Sequence, residues 1–147
     1  MQMKKIFKIS AVVFCVLALL SLLLPFYTTY SDGGESYNMV VRGYNAVEFS
    51  AWGGMLIVLP ITLIGIMFGN FKNKFKQFCA AVLPIIIWIS VFYASDAMSA
   101  WVQNAADGYV NTTGFAIIYP LLMLSASIMF YLSCGNFKTV KEFFVKN

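Results

Sequence analysis

Ala51-Trp-Gly-Gly-Met-Leu-Ile-Val-Leu-Pro-Ile-Thr-Leu-Ile-Gly-Ile-Met-Phe68 contains no charged residue, and the uncharged stretch around it runs for 23 residues, from Glu48 to Lys72. A helix needs about 20 mostly apolar residues, at about 1.5 Å each, to cross the roughly 30 Å hydrocarbon layer of a bilayer. Working outward, the same reading repeats three times. Lys8 and Asp32 bracket 23 uncharged residues, Lys76 and Asp96 bracket 19, and Asp107 and Lys138 bracket 30. Four transmembrane helices follow, over about 9–26, 51–68, 78–95 and 115–134. The expected fold class is an all-α membrane protein, a four-transmembrane-helix bundle forming a single domain over residues 1–147.

Composition agrees with lipid as the solvent. The chain is 61% hydrophobic and 11% charged, against about 25% charged in a soluble domain. So few polar side chains do not cover a water-exposed globule of this size. The first span begins with Lys4, Lys5 and Lys8, like a signal peptide. Ser21-Leu-Leu-Leu-Pro-Phe-Tyr27, however, offers no small-residue cleavage site, so the span is expected to stay.

The cations set the expected orientation. Lys4, Lys5 and Lys8, then Lys72, Lys74 and Lys76, then Lys138, Lys141 and Lys146 all fall on one side of an even number of spans, with Arg42 alone opposite. The positive-inside rule puts the Lys-rich side, with both termini, in the cytoplasm of a cell bounded by a plasma (inner) membrane. Asp32, Glu35, Glu48, Asp96 and Asp107 fall outside. The basic balance therefore reflects topology and anionic lipid, and no basic soluble surface is left for nucleic acid. Trp52, Trp101, Tyr27, Tyr30, Tyr93 and Tyr119 gather near the outer ends of spans, as interfacial aromatics do.

The larger first outer loop, 27–50, reads as a β-hairpin, with Phe26–Tyr30 and Tyr37–Val41 as strands around the turn chemistry of Ser31-Asp-Gly-Gly-Glu-Ser36. Ala97–Gln103 contains no helix breaker, so the third span is expected to continue beyond the membrane until Asp107-Gly108. The cytoplasmic tail, 135–147, interleaves Phe137, Val140, Phe143 and Phe144 with lysines; a short interfacial helix and a solvated tail both fit. Gly69-Asn-Phe-Lys72 recurs as Gly135-Asn-Phe-Lys138, with Gly43-Tyr44 and Gly108-Tyr109 upstream. That suggests a parallel repeat of helical hairpins, with chance matching of apolar sequence as the alternative. The plan resembles claudin-type tetraspan proteins in topology alone. The outer-loop Trp and Cys pattern of that family is absent, so no residue role carries over.

Chemistry-bearing motifs are scarce. There is no histidine, which removes the commonest general base and metal ligand. No Gly-x-Ser-x-Gly, Walker or dinucleotide fingerprint occurs. An enzyme is not expected, and no cofactor or metal is implied. Cys15, Cys79 and Cys134 read as buried small residues, with palmitoylation of Cys79 or Cys134 as the alternative. Arg42, Glu48 and Asp96 form a candidate outer-face polar cluster able to tie the first loop to the bundle. Tyr30, Tyr37 and Tyr44 form a candidate interaction surface, the competing reading being that they fold down onto the bundle. Gly65 and Gly69 make a small-xxx-small pair for helix packing, inside the bundle or between copies. Pro60, Pro84 and Pro120 interrupt three spans, and the carbonyls they free need other partners. The expected role is that of a non-enzymatic accessory or interaction protein. Its partners would be the lipid bilayer and a membrane protein or a further copy of itself. An oligomeric channel or transporter subunit is the alternative, for which Ser90, Ser125 and Ser127 are weak polar candidates within the spans.

Overall fold

The computed structural model of the chain describes residues 2–30, 40–105, 109–112 and 115–135. In order they form α1 (Gln2–Ser21), β1 (Pro25–Tyr30), β2 (Val40–Arg42), a 3-10 turn (Gly43–Asn45), α2 (Ala46–Phe49), α3 (Ala51–Phe68), α4 (Asn73–Ala105), β3 (Tyr109–Thr112) and α5 (Phe115–Cys134). Among the described residues, three helices are long and apolar enough to cross a membrane: α3, α4 over Asn73–Ala100, and α5. The chain is a membrane-associated helical protein with a small sheet at one end.

The helix expected over 9–26 is corrected at its end, while its start extends back through the lysines that precede the uncharged segment. It starts at Gln2 and stops at Ser21. Pro25 accounts for the stop, because its ring bars the α conformation at the residue before it and it has no N–H to donate. The Ser21 hydroxyl turns back onto the Ala18 carbonyl at 2.7 Å, and the chain tightens through bonds from the Leu22, Leu23 and Leu24 N–H groups to Leu19, Leu20 and Ser21. The uncharged part of α1, Ile9–Ser21, measures about 20 Å, so its length alone does not make it a span.

The long helices pack in the circuit α1, α5, α4, α3 and back to α1. The most extensive contact is α1 against α5, and the reason is side-chain size. Ala11, Cys15 and Ala18 line the buried stripe of α1 at helical spacing, facing a core that includes Tyr119, Met123, Ala126 and Phe130 of α5. With no hydrophobic drive between helices in lipid, small side chains allow the close approach that dispersion requires. Gly65, by contrast, is exposed, and a Cβ there would meet nothing within 4 Å. It packs no helix inside the bundle, which corrects the internal-packing reading of the Gly65/Gly69 pair. Gly69 closes α3 through its N–H on the Gly65 carbonyl at 2.8 Å, and a side chain there would require the exposed Phe71 ring to move aside.

The sheet order is β2-β1-β3, antiparallel throughout. Between β1 and β2 the register inserts Phe26 as an extra residue on β1, a bulge that re-aims a side chain. Phe26 is fully buried beside Phe115, with ring centroids 4.8 Å apart. The third strand comes from the connection between α4 and α5, so the sheet joins both connections at that end. The two halves of the chain are not equivalent. α1 touches α3 less than α4 touches α5, and Gly135 closes α5 on Leu132 where Gly69 closes α3 four residues back. This counts against a repeat of like hairpins. Asn136–Asn147, and with them the tail readings, lie outside the described residues.

Candidate functional site

The sheet end of the bundle holds the polar chemistry, and it begins with an unfinished helix. The last carbonyls of a helix lack intrahelical donors, and inside a bilayer each must still be satisfied. Leu22, Leu23 and Leu24 follow the C-terminus of α1, and three consecutive residues of the first loop serve them. The Tyr44 N–H donates to the Leu22 carbonyl at 3.0 Å and the Gly43 N–H to Leu24 at 3.1 Å. The Arg42 guanidinium donates to Leu23 at 2.7 Å. A cation at this position also complements the negative end of the helix dipole. The Arg42 N–H is itself taken by the Asn45 side chain at 3.0 Å.

Arg42 therefore ties the loop to the bundle, but through carbonyls. Glu48 on α2 and Asp96 on α4 are both exposed. The polar partners of the Arg42 guanidinium and N–H are Leu23 and Asn45, so the expected Arg42/Glu48/Asp96 cluster does not form among the described residues.

Gly43 is required by close approach. A Cβ there would sit 2.7 Å from the Phe115 ring, which is fully buried at the start of α5. Phe26, Phe115 and Tyr119 form a continuous row of mutually tilted rings beneath the loop, the last two with centroids 5.3 Å apart. The Tyr119 hydroxyl donates to the Leu56 carbonyl on α3. Leu56 is four residues before Pro60, whose missing N–H leaves that carbonyl without its helical donor. Tyr119 is fully buried, which corrects its placement among the interfacial aromatics. Trp52 and Tyr93 do lie on the bundle surface, stacked 5.2 Å apart and each partly exposed.

Ser50 starts α3 by accepting from the Gly53 N–H at 3.2 Å. Gly53 admits no side chain, since a Cβ would fall 1.9 Å from the Ala46 carbonyl oxygen. α2 is thereby seated on the first turn of α3. Val40 of β2, Tyr44 of the 3-10 turn and Val47 of α2 are each nearly half exposed. Tyr44 is the one member of the expected tyrosine surface whose side chain is described. Tyr30 lies in β1, its side chain not described, and Tyr37 lies outside the described residues.

Deep polar groups are few. Ser90 and Ser125 donate to the Ile86 and Leu121 carbonyls of their own helices, at 2.8 and 2.9 Å. The buried Ser127 hydroxyl has no partner and lines an apolar groove of about 380 Å³ between α4 and α5. All three cysteines are free. No cluster of His, Cys, Asp or Glu that would hold a metal ion occurs among the described residues. The chain matches no family model, no curated protein and no solved structure.

What the sequence reading missed here is Gly43, Asn45, Phe115 and Tyr119. One signal was available: a proline inside a span marks an orphan carbonyl four residues earlier, and a tyrosine elsewhere is a natural donor to it.

Proposed function

We propose that the chain is a multi-pass plasma-membrane protein with four spans and both termini cytoplasmic, acting by contact as a non-enzymatic accessory or assembly partner. The supporting observation is the way the first loop is fastened. Residues 42–44 are pinned to the end of α1, yet Tyr44 stays exposed, as do Val40 and Val47. A rigid aromatic presented on a fixed backbone is the kind of anchor that dominates interfaces, because little side-chain freedom is lost on binding.

The fourth span is α1 with its extension. About 20 Å of helix over Ile9–Ser21 is followed by the Leu22–Leu24 turn at about 2 Å per residue and by Pro25-Phe26 at about 3.3 Å per residue. Together they approach the roughly 30 Å of the hydrocarbon layer. Non-helical backbone at that depth is tolerated where its polar groups are satisfied within the protein, and residues 42–44 supply that satisfaction.

The test of a contact role is Tyr44→Ala in the full-length protein, purified in mild detergent. Loss of a co-purifying membrane protein with unchanged thermal stability supports the reading. Loss of stability with the partner retained refutes it. The competing channel or transporter reading is tested by conductance of the purified protein in liposomes, and any selective ion flux would favour it.

A further inference from the structure

At the end of the bundle opposite the sheet, Lys5, Lys8, Ile9, Val12 and Val13 of α1 and Phe68 of α3 enclose a groove of about 290 Å³. Positions 5, 8, 9, 12 and 13 form one stripe at helical spacing, so the methylene stems of both lysines line the same end of a wholly apolar trough. Lys8 is already oriented, its Nζ lying 4.2 Å from the centre of the Phe68 ring, a cation–π contact that holds a charge without neutralising it.

The charges here are unfavourable as they stand. Lys4, Lys5 and Lys8 crowd the first turns of α1, whose first turn has no acidic residue. Cations are disfavoured at the positive end of a helix, and Lys4 and Lys8 are a like-charged pair four residues apart. Neither Lys5 nor Lys8 has a carboxylate partner among the described residues. An anion held between them would relieve all three costs.

We infer that this groove is a binding site for an anionic phospholipid, its phosphate held by Lys5 and Lys8 and one acyl chain lying along Ile9, Val12 and Val13 over Phe68. The form of the site matches an amphiphile, and basic pockets between helices at a membrane face are the known physical solution for acidic lipid headgroups. The inference rests on α1 lying in the membrane, which impermeant labelling of a cysteine placed at Gln2 against one placed at Asp32, on either side of α1, tests independently of lipid binding.

The experiment titrates the full-length protein in detergent with phosphatidylglycerol, with phosphatidylcholine of the same chains, and with inorganic phosphate. Bound lipid is counted by native mass spectrometry, and thermal midpoints are recorded alongside. Phosphatidylglycerol should bind in preference to phosphatidylcholine. The Lys5→Gln/Lys8→Gln double variant should weaken it roughly twenty-five-fold, about five-fold for each lysine. Lys72→Gln/Lys74→Gln, which removes the same charge elsewhere at this end, should leave it unchanged. Val13→Trp, which fills the groove and keeps both lysines, should also weaken it. Equal loss in the two lysine pairs would mean bulk attraction and overturn the site. Stabilisation by inorganic phosphate as large as by the lipid would overturn the acyl-chain half. Should Glu142→Gln lower the lipid-free midpoint as much as the Lys5/Lys8 pair does, the tail supplies the anion and the proposal fails.

Discussion

The Tyr119 hydroxyl donates to the Leu56 carbonyl, 63 positions away in the chain, and that carbonyl is the one that Pro60 deprives of its helical donor. One bond thus heals a break in α3 and fixes α5 across the bundle diagonal.

Removing the hydroxyl with Tyr119→Phe should destabilise the protein by about 1 kcal/mol, the scale of interhelical hydrogen bonds in membranes. The telling measurement is a double-mutant cycle with Pro60→Ala, which restores an N–H for Leu56. In that background Tyr119→Phe should cost distinctly less. Equal cost in both backgrounds would mean that Tyr119 contributes by packing alone.

Arg42→Ala should cost about 1–2 kcal/mol, since it leaves the Leu23 carbonyl unsatisfied and removes a cation from the end of α1. Glu48→Gln and Asp96→Asn should each stay within about 0.5 kcal/mol, as exposed surface changes do. Reversible unfolding in mixed micelles would rank the three. A large effect at Glu48 or Asp96 would revive the ion-pair account.

The glycines should separate by their surroundings. Gly43→Ala forces a methyl group against the Phe115 ring and should cost about 1–3 kcal/mol, in part recovered by Phe115→Leu. Gly65→Ala meets open space and gains helix propensity worth up to about 1 kcal/mol, so its midpoint should hold or rise. If Gly65→Ala instead abolishes a dimer seen by cross-linking, the exposed glycine serves contact between copies.

Topology is checked by single cysteines and an impermeant thiol reagent in intact cells. A cysteine replacing Asp32 should label from outside, and one replacing Lys74 should label only after permeabilisation. The reverse pattern would invert the orientation proposed from the lysines.

Helices over 51–68 and 115–134 could be read from charge spacing alone, because the cost of burying charge in lipid acts residue by residue along the chain. The end of α1 was harder to read. Pro25 gave a local reason to stop before residue 26, but hydropathy continues through Leu22–Leu24 and masks it. Among the site residues, Arg42 was legible as the tether of the loop, but its partner was not. Opposite charge drew attention to Glu48 and Asp96, whereas the strongest local need lay with bare carbonyls that no composition reveals.

By itself the sequence determined that this chain belongs in lipid and where its apolar segments begin and end, since transfer to hydrocarbon is a sum over local side chains. Only the tertiary structure decided which helices touch and which polar groups are satisfied by whom. The small stripe Ala11, Cys15 and Ala18 became an interface because α5 lies against it, while Gly65 of α3 turned outward. Tyr119 became a buried donor because the fold set it opposite Leu56. Hydrogen bonds are short and directional, so their pairing depends on where distant segments come to rest, and spacing along one chain does not encode that.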